Sequence, residues 1–200
     1  MLNIVRACKN GELNSNVATV ISNNPDSDGL QKAKRSMIDV KIIDHKKFKN
    51  SSDFEKSLSN YLEKKRVNLI CLAGFMKILS KDFVKKWDKK IINIHPSLLP
   101  AFKGLNPHKK AIKMKVKYSG CTVHFVDKDI DSGNIIDQDI VKVSKYDDEG
   151  SLQKKILMKE HKLYINVLKK METEWINLTV KNTKIFLQNL WRQPSGAQYL

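Results

Sequence analysis

The segment from Asn93 to Pro100, which reads Asn-Ile-His-Pro-Ser-Leu-Leu-Pro, holds the two side chains of this sequence that are best suited to chemistry. Asn93 and His95 are two residues apart, so in an extended chain both side chains leave the same face. An imidazole moves a proton near neutral pH, and a carboxamide donates a hydrogen bond to an oxygen that gains charge. Such a pair is by itself more often structural, and the functional interpretation is proton transfer next to an oxygen that gains charge.

Two apolar runs predict the strands that position this pair. The run Ile91-Ile92-Asn93-Ile94 has strand character and then meets two prolines, so we expect the strand to end near His95. The run from Val67 to Ala73 is almost continuously apolar, which is typical of a strand buried on both faces of a parallel sheet. We expect Gly74 to end that strand and the segment after it to lie beside His95.

Strands alternate with helical segments along the first half of the chain. This order predicts an α/β fold with a doubly wound, mostly parallel (Rossmann-like) sheet that is flanked by helices. Ligands of such folds bind outside the carboxyl ends of the strands, where His95 is expected to lie. The predicted strands are Asn16 to Ser22, Val40 to Ile43, Val67 to Ala73 and the strand that ends at His95.

The second half of the chain predicts two strands with an acidic loop between them, followed by a long helix. The strands are Thr122 to Val126 and Asn134 to Val143, and the helix runs from about Glu149 to Trp175. Asn177 to Val180 and Lys184 to Leu187 are predicted to form a small C-terminal hairpin. We expect residues 1–190 to form a single domain and residues 191–200 to be a flexible tail.

Composition narrows the class of protein. The chain has 200 residues, of which 41% are hydrophobic, and no apolar stretch reaches the length of a membrane span. A cytoplasmic location is the expectation, because the N-terminus also has no signal-peptide core. The three cysteines, Cys8, Cys71 and Cys121, are widely spaced, so we expect buried thiols without a disulfide or zinc.

The chain is strongly basic, with 37 Lys and Arg against 21 Asp and Glu and a net charge of +16. The excess is almost entirely lysine and is scattered over every predicted helix, whereas a nucleic-acid-binding protein more often clusters its positive charge. A solvated lysine-rich surface is therefore the favoured interpretation, and nucleic acid is not expected as a partner. The same charge is suited to attracting an anionic small substrate.

An ordered set of motifs surrounds the Asn-His pair. They are Leu72-Ala73-Gly74-Phe75-Met76-Lys77-Ile78-Leu79, then 93–100, then Phe102-Lys103-Gly104-Leu105, then Gly120-Cys121-Thr122-Val123-His124-Phe125-Val126, and finally Asp131-Ser132-Gly133. In this order they resemble phosphoribosylglycinamide formyltransferase, the folate-dependent enzyme of purine synthesis. The resemblance extends from about Leu2 to Tyr164, which is most of the chain.

The resemblance implies transfer of a formyl group from 10-formyltetrahydrofolate to the amine of 5-phosphoribosylglycinamide, without a metal ion. It assigns proton transfer to His95 and stabilisation of the oxyanion to Asn93. Asp131 is implied to keep His95 charged or to orient a water that relays the proton. These roles suit the chemistry, because the attacked formyl oxygen gains charge and the leaving folate nitrogen needs a proton.

The resemblance also implies binding residues for both substrates. The folate cosubstrate is expected to contact Met76, Lys77, Ile78, Leu79, Asn93 and the loop Val126, Asp127, Lys128, Asp129 and Ile130, whereas Glu160 is expected to contact the glycinamide substrate. Met76, Ile78 and Leu79 have an alternative interpretation as ordinary core residues. His124 lies in a predicted strand and is interpreted as a structural histidine whose hydrogen bonds are satisfied.

The sequence departs from the family pattern at three places. Members of the family usually open with a strand and a glycine-rich loop that binds the substrate phosphate. This sequence starts within the helix that follows, so we expect the first strand and the loop to be missing and the sheet to lose packing at its centre. Ser51 and Leu157 stand where the family tends to carry Arg and Gln.

Three alternative functions remain, and the first two share the same Asn-His-Asp chemistry. One is a formyltetrahydrofolate deformylase, and another is an enzyme like methionyl-tRNA formyltransferase, which usually has an additional C-terminal domain. A third is an inactive remnant that binds folate or nucleic acid. The expected state is a monomer or a homodimer that acts on small molecules and not at a membrane.

Overall fold

The structure is a computed structural model that describes residues 1–75, 77–176 and 184–189. None of the helices in these ranges is long and apolar enough to cross a lipid bilayer. In chain order the elements are α1 (Leu2–Lys9), β1 (Asn16–Ser22), α2 (Asp28–Arg35), β2 (Val40–Ile42), a 3₁₀ turn (His45–Lys47), α3 (Ser51–Lys64), β3 (Leu69–Ala73), α4 (Lys81–Lys86), β4 (Ile91–His95), α5 (Pro107–Lys113), β5 (Tyr118–Phe125), β6 (Ile135–Lys142), α6 (Glu149–Ile176) and β7 (Lys184–Asn189).

Within the described residues, seven strands form one sheet in the order β2-β1-β7-β3-β4-β5-β6. The pairs β1 with β2, β1 with β7, β7 with β3 and β3 with β4 are parallel. The remaining pairs, β4 with β5 and β5 with β6, are antiparallel. The prediction of a doubly wound, mostly parallel α/β sheet is confirmed, and β1 and the end of β4 lie where the sequence placed them.

Helices cover both faces of this sheet, because the strands present apolar side chains on each side in alternation. On one face Ile92 packs with residues of α1, α5 and α6, among them Ile4, Ala111 and Ile156. On the other face Ile91 packs with α3 and α4 through Leu58 and Phe83. The sheet thus separates two cores, and the neighbouring residues Ile91 and Ile92 belong to different ones.

The long helix α6 is fixed to the sheet by buried polar contacts. The Tyr164 hydroxyl donates to the carbonyl of Leu72 at 2.8 Å and lies 3.3 Å from that of Ile92. The Glu172 carboxylate accepts from the Ser15 amide at 2.8 Å, just before β1 begins. These contacts hold β3 and β4, whose carboxyl ends carry the candidate site, against the same helix.

The C-terminal strand β7 corrects two expectations. Lys184 to Leu187 do not form a hairpin arm, because β7 pairs in parallel with β1 on one side and with β3 on the other, so both of its edges are occupied. The other predicted arm, Asn177 to Val180, and the tail 191–200 lie outside the described residues. The centre of the sheet, where we expected a gap, is filled by β7.

The position of β7 also coincides with the reversal of strand order. The connection from β1 to β2 runs toward one edge of the sheet, whereas the connection from β3 to β4 runs toward the other. In open α/β sheets this reversal creates the crevice in which ligands bind. Asn189 pairs with Ala73, so the last described residue of β7 lies at the carboxyl ends of the neighbouring strands.

We expect the substitution Leu187→Pro to lower the free energy of unfolding by about 3 kcal/mol or more, because proline removes a ladder donor and cannot be accommodated in a central strand. Leu187 pairs with Val20 on one side and Cys71 on the other. Leu187→Val, which retains the amide, is the control. Guanidinium unfolding followed by circular dichroism measures both. Equal stability of the two variants would contradict a central β7.

Candidate active site

Asn93 and His95 lie at the carboxyl end of β4 and leave the same face of the sheet, as the sequence predicted. This face is the one opposite to Ile92, so it is not the face on which α6 packs. His95 is buried, with 6% of its surface exposed, and the strand ends at this residue. The imidazole is therefore held in a largely dry environment at the edge where ligands of such sheets bind.

Asp131 is brought to His95 by a tight turn after β5. A side chain at Gly133 would place its Cβ 1.9 Å from the carbonyl oxygen of Phe125, so only glycine permits this close return of the chain. Asp131 has a φ of 47°, in the left-handed region that aspartate tolerates better than most residues. One carboxylate oxygen, Oδ2, lies 3.2 Å from Nδ1 of His95 and accepts from the Gly104 amide at 2.8 Å.

His124 completes the group and was not predicted to act in the site. It is the antiparallel partner of Asn93, and its Nε2 lies 3.4 Å from Nδ2 of Asn93 and 3.6 Å from Oδ1 of Asp131. Its Nδ1 donates to the carbonyl of Phe125 at 2.7 Å, and only 2% of the residue is exposed. His124 is satisfied, as expected of a structural histidine, but its partners include two of the predicted catalytic side chains.

The hydrogen-bond partners indicate the protonation states of both imidazoles. Nδ1 of His95 faces the Asp131 carboxylate, and Nε2 of His95 lies 3.0 Å from the carbonyl oxygen of Phe102. Neither partner donates, so this geometry favours protonation of both nitrogens of His95, the imidazolium form. In His124, Nδ1 is the donor to Phe125, and Nε2 faces both Nδ2 of Asn93 and Oδ1 of Asp131.

The charge of Asp131 is stabilised by its surroundings. Burial by itself raises the pKa of the Asp131 carboxyl, but His124, the Gly104 amide and the imidazole of His95 together outweigh burial and hold the pKa below its ordinary value. Asp131 therefore remains ionised throughout the neutral range. An ionised carboxylate on Nδ1 in turn favours the charged form of His95.

The four side chains form one chain of contacts, from Asn93 through His124 and Asp131 to His95. It places a charged proton donor and an amide donor two residues apart on one strand. This arrangement can stabilise an oxyanion with Asn93 while His95 delivers a proton to a leaving nitrogen. Within the described residues no group of three or more metal-ligating side chains is present.

Comparison with known families agrees with this chemistry. The family described as Formyl transferase matches residues 1–168. The chain belongs to the formyl transferase family. The match includes β4, β5 and the turn that carries Asp131, so all four side chains of the candidate active site lie within the part that is shared with this family.

Named relatives and solved structures of the formyl transferase family extend the comparison. The trifunctional purine biosynthetic protein adenosine-3 of Homo sapiens is 46% identical over 145 residues, which are 72% of this chain and 14% of that protein. The phosphoribosylglycinamide formyltransferase of Haemophilus influenzae is 37% identical, over 83% of this chain and 78% of that protein. The structure of phosphoribosylglycinamide formyltransferase from Bacillus halodurans has a TM-score of 0.85 and 34% identity, and the match covers 90% of this chain and 92% of that one. The chain thus spans a small part of the trifunctional relatives but most of the shorter ones.

The predicted folate contacts divide into three groups in the structure. Leu79 is buried in the core with Phe83, which fits its alternative interpretation as a core residue. Ile78 and Ile130 are exposed, at 67% and 52%, although both are large and apolar. Lys77 places its ammonium 6.0 Å from the centre of the Phe54 ring. In the loop, Val126 is half-buried, whereas Asp127, Lys128 and Asp129 are exposed. Met76 lies outside the described residues.

Glu160 lies on a different element from Asn93, His95 and Asp131. It is buried on α6, which packs on the opposite face of the sheet from Asn93 and His95. Its charge is felt by the thiol of Cys121, whose pKa is raised to about 12, first by burial and then by Glu160. A role of Glu160 in binding the acceptor substrate stays a prediction.

We expect Asp131→Asn to lower the free energy of unfolding by about 1–3 kcal/mol at pH 7, because Asp131 accepts charge-assisted hydrogen bonds. Since the native pKa of Asp131 is lowered, its stabilisation is fully present above the unfolded pKa of about 3.9 and is lost as the pH falls through the native value. The difference between wild type and variant should therefore shrink toward pH 3. Urea unfolding at both pH values measures it.

The exposed Asp129 on the same loop supplies the control for this measurement. Asp129→Asn should change stability little at either pH. A difference between wild type and Asp131→Asn that is the same at pH 3 and pH 7 would show that Asp131 is not stabilised as an anion.

Proposed function

We propose that this chain transfers a formyl group from 10-formyltetrahydrofolate to the amine of 5-phosphoribosylglycinamide, a step in the synthesis of purines. The observation that carries the proposal is the contact chain of Asn93, His124, Asp131 and His95 at the carboxyl end of β4. The Haemophilus influenzae relative carries the name of this activity and is matched over most of its length, which supports the choice of substrates.

The reaction begins when the acceptor amine attacks the formyl carbon. A carbon–nitrogen bond forms, and the formyl oxygen becomes an oxyanion that receives hydrogen bonds from Nδ2 of Asn93 and from the imidazolium of His95. The bond between the formyl carbon and folate N10 then breaks. N10 takes the electron pair and a proton from His95, and the neutral imidazole accepts the proton that the attacking amine gives up.

Asp131 and His124 prepare the two donors for these steps. The carboxylate of Asp131 on Nδ1 keeps His95 protonated before the leaving nitrogen needs its proton. Nε2 of His124 lies 3.4 Å from Nδ2 of Asn93, and this contact orients the carboxamide so that its nitrogen is available to the oxyanion. We assign catalytic roles to Asn93, His95 and Asp131 and an orienting role to His124.

The folate cosubstrate is placed along the loop from Val126 to Ile130 and the segment from Lys77 to Leu79. The exposed apolar side chains of Ile78 and Ile130 support this placement, since a flat ring system would cover them. Glu160 remains our candidate for contact with the acceptor. We further propose one domain that ends near residue 190, because β7 ends at Asn189, in a cytoplasmic monomer or homodimer.

A second candidate function is hydrolysis of the formyl group, in which water replaces the amine. Two observations favour it. Ser51, where the family tends to carry Arg, is an exposed residue at the start of α3. Leu157, where the family tends to carry Gln, is 43% exposed on α6 and offers no hydrogen bond. Both positions reduce the polar contacts available to a phosphoribosyl acceptor.

The experiment that separates the two functions measures release of tetrahydrofolate from 10-formyltetrahydrofolate by the purified chain, with and without 5-phosphoribosylglycinamide. We expect release that depends on the ribonucleotide. Release at the same rate without it would support the hydrolytic function instead. Silence in both assays, with a folded protein, would overturn the proposed activity for these 200 residues.

We expect His95→Ala to lower kcat by roughly 10²–10⁴-fold, since this is the contribution of a positioned general acid. The dissociation constant for 10-formyltetrahydrofolate should change little, because the imidazole acts on the transition state and not on the folate ring. Stopped-flow turnover and equilibrium titration measure the two quantities. His108→Ala, at a buried histidine on α5, is the matched control for loss of an imidazole. An unchanged kcat in His95→Ala would exclude proton transfer by this residue.

A further inference from the structure

Thr122 lies beside the catalytic strand and is completely buried. It is the antiparallel partner of His95, and Gln138 on β6 is its partner on the other side, so the three residues form a row across three strands. Thr122 has no exposed surface, whereas Gln138 is exposed on the edge strand. A buried hydroxyl in a strand needs partners, and those of Thr122 lie in the loop after His95.

The hydroxyl of Thr122 uses its full hydrogen-bonding capacity. It donates to the carbonyl of Ser97 at 2.7 Å and accepts from the Leu99 amide at 3.0 Å. It also accepts from Nε2 of Gln138 at 2.8 Å, and the same nitrogen lies 3.0 Å from the carbonyl of Leu99. Both backbone groups of Leu99 are thus held, one by Thr122 and the other by Gln138.

The loop fixed in this way returns to His95. The Ser97 hydroxyl donates to the carbonyl of Ala101 at 2.5 Å, which closes the loop on itself. Phe102 follows with a φ of 57°, and its carbonyl oxygen lies 3.0 Å from Nε2 of His95. This nitrogen carries the proton that the proposed reaction transfers, so the position of the Phe102 carbonyl determines how that proton is held before reaction.

We propose that Thr122 and Gln138 are positioning residues for His95, which act by clamping Leu99 so that the Phe102 carbonyl meets Nε2. The inference rests on the proposed function in one respect only, namely that His95 transfers this proton. In this scheme Thr122 and Gln138 act on the backbone of Leu99 and not on the reacting atoms. Their effect reaches His95 through the backbone of residues 97–102.

The test compares Thr122→Val, which removes the hydroxyl at nearly constant shape, with Thr122→Ser, which retains it. The first readout is the Nε2 proton of His95 in nitrogen-correlated NMR spectra of the whole chain, assigned by its absence in His95→Ala. We expect a proton that is protected from exchange in the wild type and in Thr122→Ser, and at least tenfold faster exchange in Thr122→Val. The same protection in all three proteins would overturn the proposal.

The second readout is the formyl transfer itself. We expect kcat of Thr122→Val to fall by about 10–100-fold, since a small displacement of a catalytic group costs this much. KM should stay within about twofold, and Thr122→Ser should recover most of the rate. Loss of kcat in Thr122→Ser equal to that in Thr122→Val would indicate a packing effect and contradict the hydroxyl clamp.

Gln138→Leu keeps the test decisive if Thr122→Val does not fold. Because Gln138 is exposed on the edge strand, its substitution removes one contact of Leu99 without creating a buried cavity. It should shift the exchange of the His95 proton in the same direction as Thr122→Val. A wild type without turnover would refute the proposed function, and the exchange measurements would still decide whether the clamp exists.

Discussion

The carboxylate of Asp131 is the point on which the candidate active site depends. Its two oxygens contact His95 of β4 and His124 of β5, and it also receives the amide of Gly104 from the loop between them. A charge with about a tenth of its side-chain surface exposed is stable only when such partners are present. The contacts that stabilise the carboxylate also stabilise the protonated form of His95. They further hold His124 next to the side chain of Asn93.

The sheet gives this carboxylate its partners by bringing separate parts of the chain into register. β4 and β5 are antiparallel, which sets His124 opposite Asn93 and Thr122 opposite His95. The turn after β5 then needs the close approach at Gly133 to return Asp131 to the same edge. The candidate catalytic group is therefore a consequence of strand pairing and one glycine.

The two faces of the sheet have different roles. The face with α3 and α4 carries Asn93 and His95, whereas α6 covers the other face and anchors β3 and β4 through Tyr164. Much of the positive charge of α6 lies at the surface in ion pairs, such as Lys155 with Asp147 and Lys159 with Asp139. Exposed pairs of this kind contribute little stability, which agrees with the interpretation of the lysines as a solvated surface.

The central position of β7 joins the end of the chain to the middle of the sheet. A strand between β1 and β3 is required for a continuous ladder, because two unpaired inner edges would leave buried backbone donors and acceptors without partners. The seven-residue gap between α6 and the start of β7 lies outside the described residues, but the register on both sides of β7 defines its place. Completion of the sheet beside the candidate active site thus depends on residues far from it in the sequence.

The sequence by itself determined the class of fold and the main chemical pair. Apolar runs separated by helical periodicity were enough to predict the parallel sheet, and the prolines after His95 were enough to end β4 at the right residue. The sequence also named Asp131, although through resemblance to a family and not through spacing, because nothing local to 93–95 points to a residue 36 positions further along the chain.

Only the tertiary structure decided the contacts of His124, the hydrogen bonds of Thr122 and Gln138 to Leu99, and the place of β7. Each depends on which strands become neighbours and in what register, which is a property of long-range pairing that a local pattern does not contain. Lys184 to Leu187 show this most directly. A strand was predicted there correctly, but as one arm of a hairpin joined at Lys181-Asn182. The unpaired edges of β1 and β3 provided more backbone partners than a hairpin would.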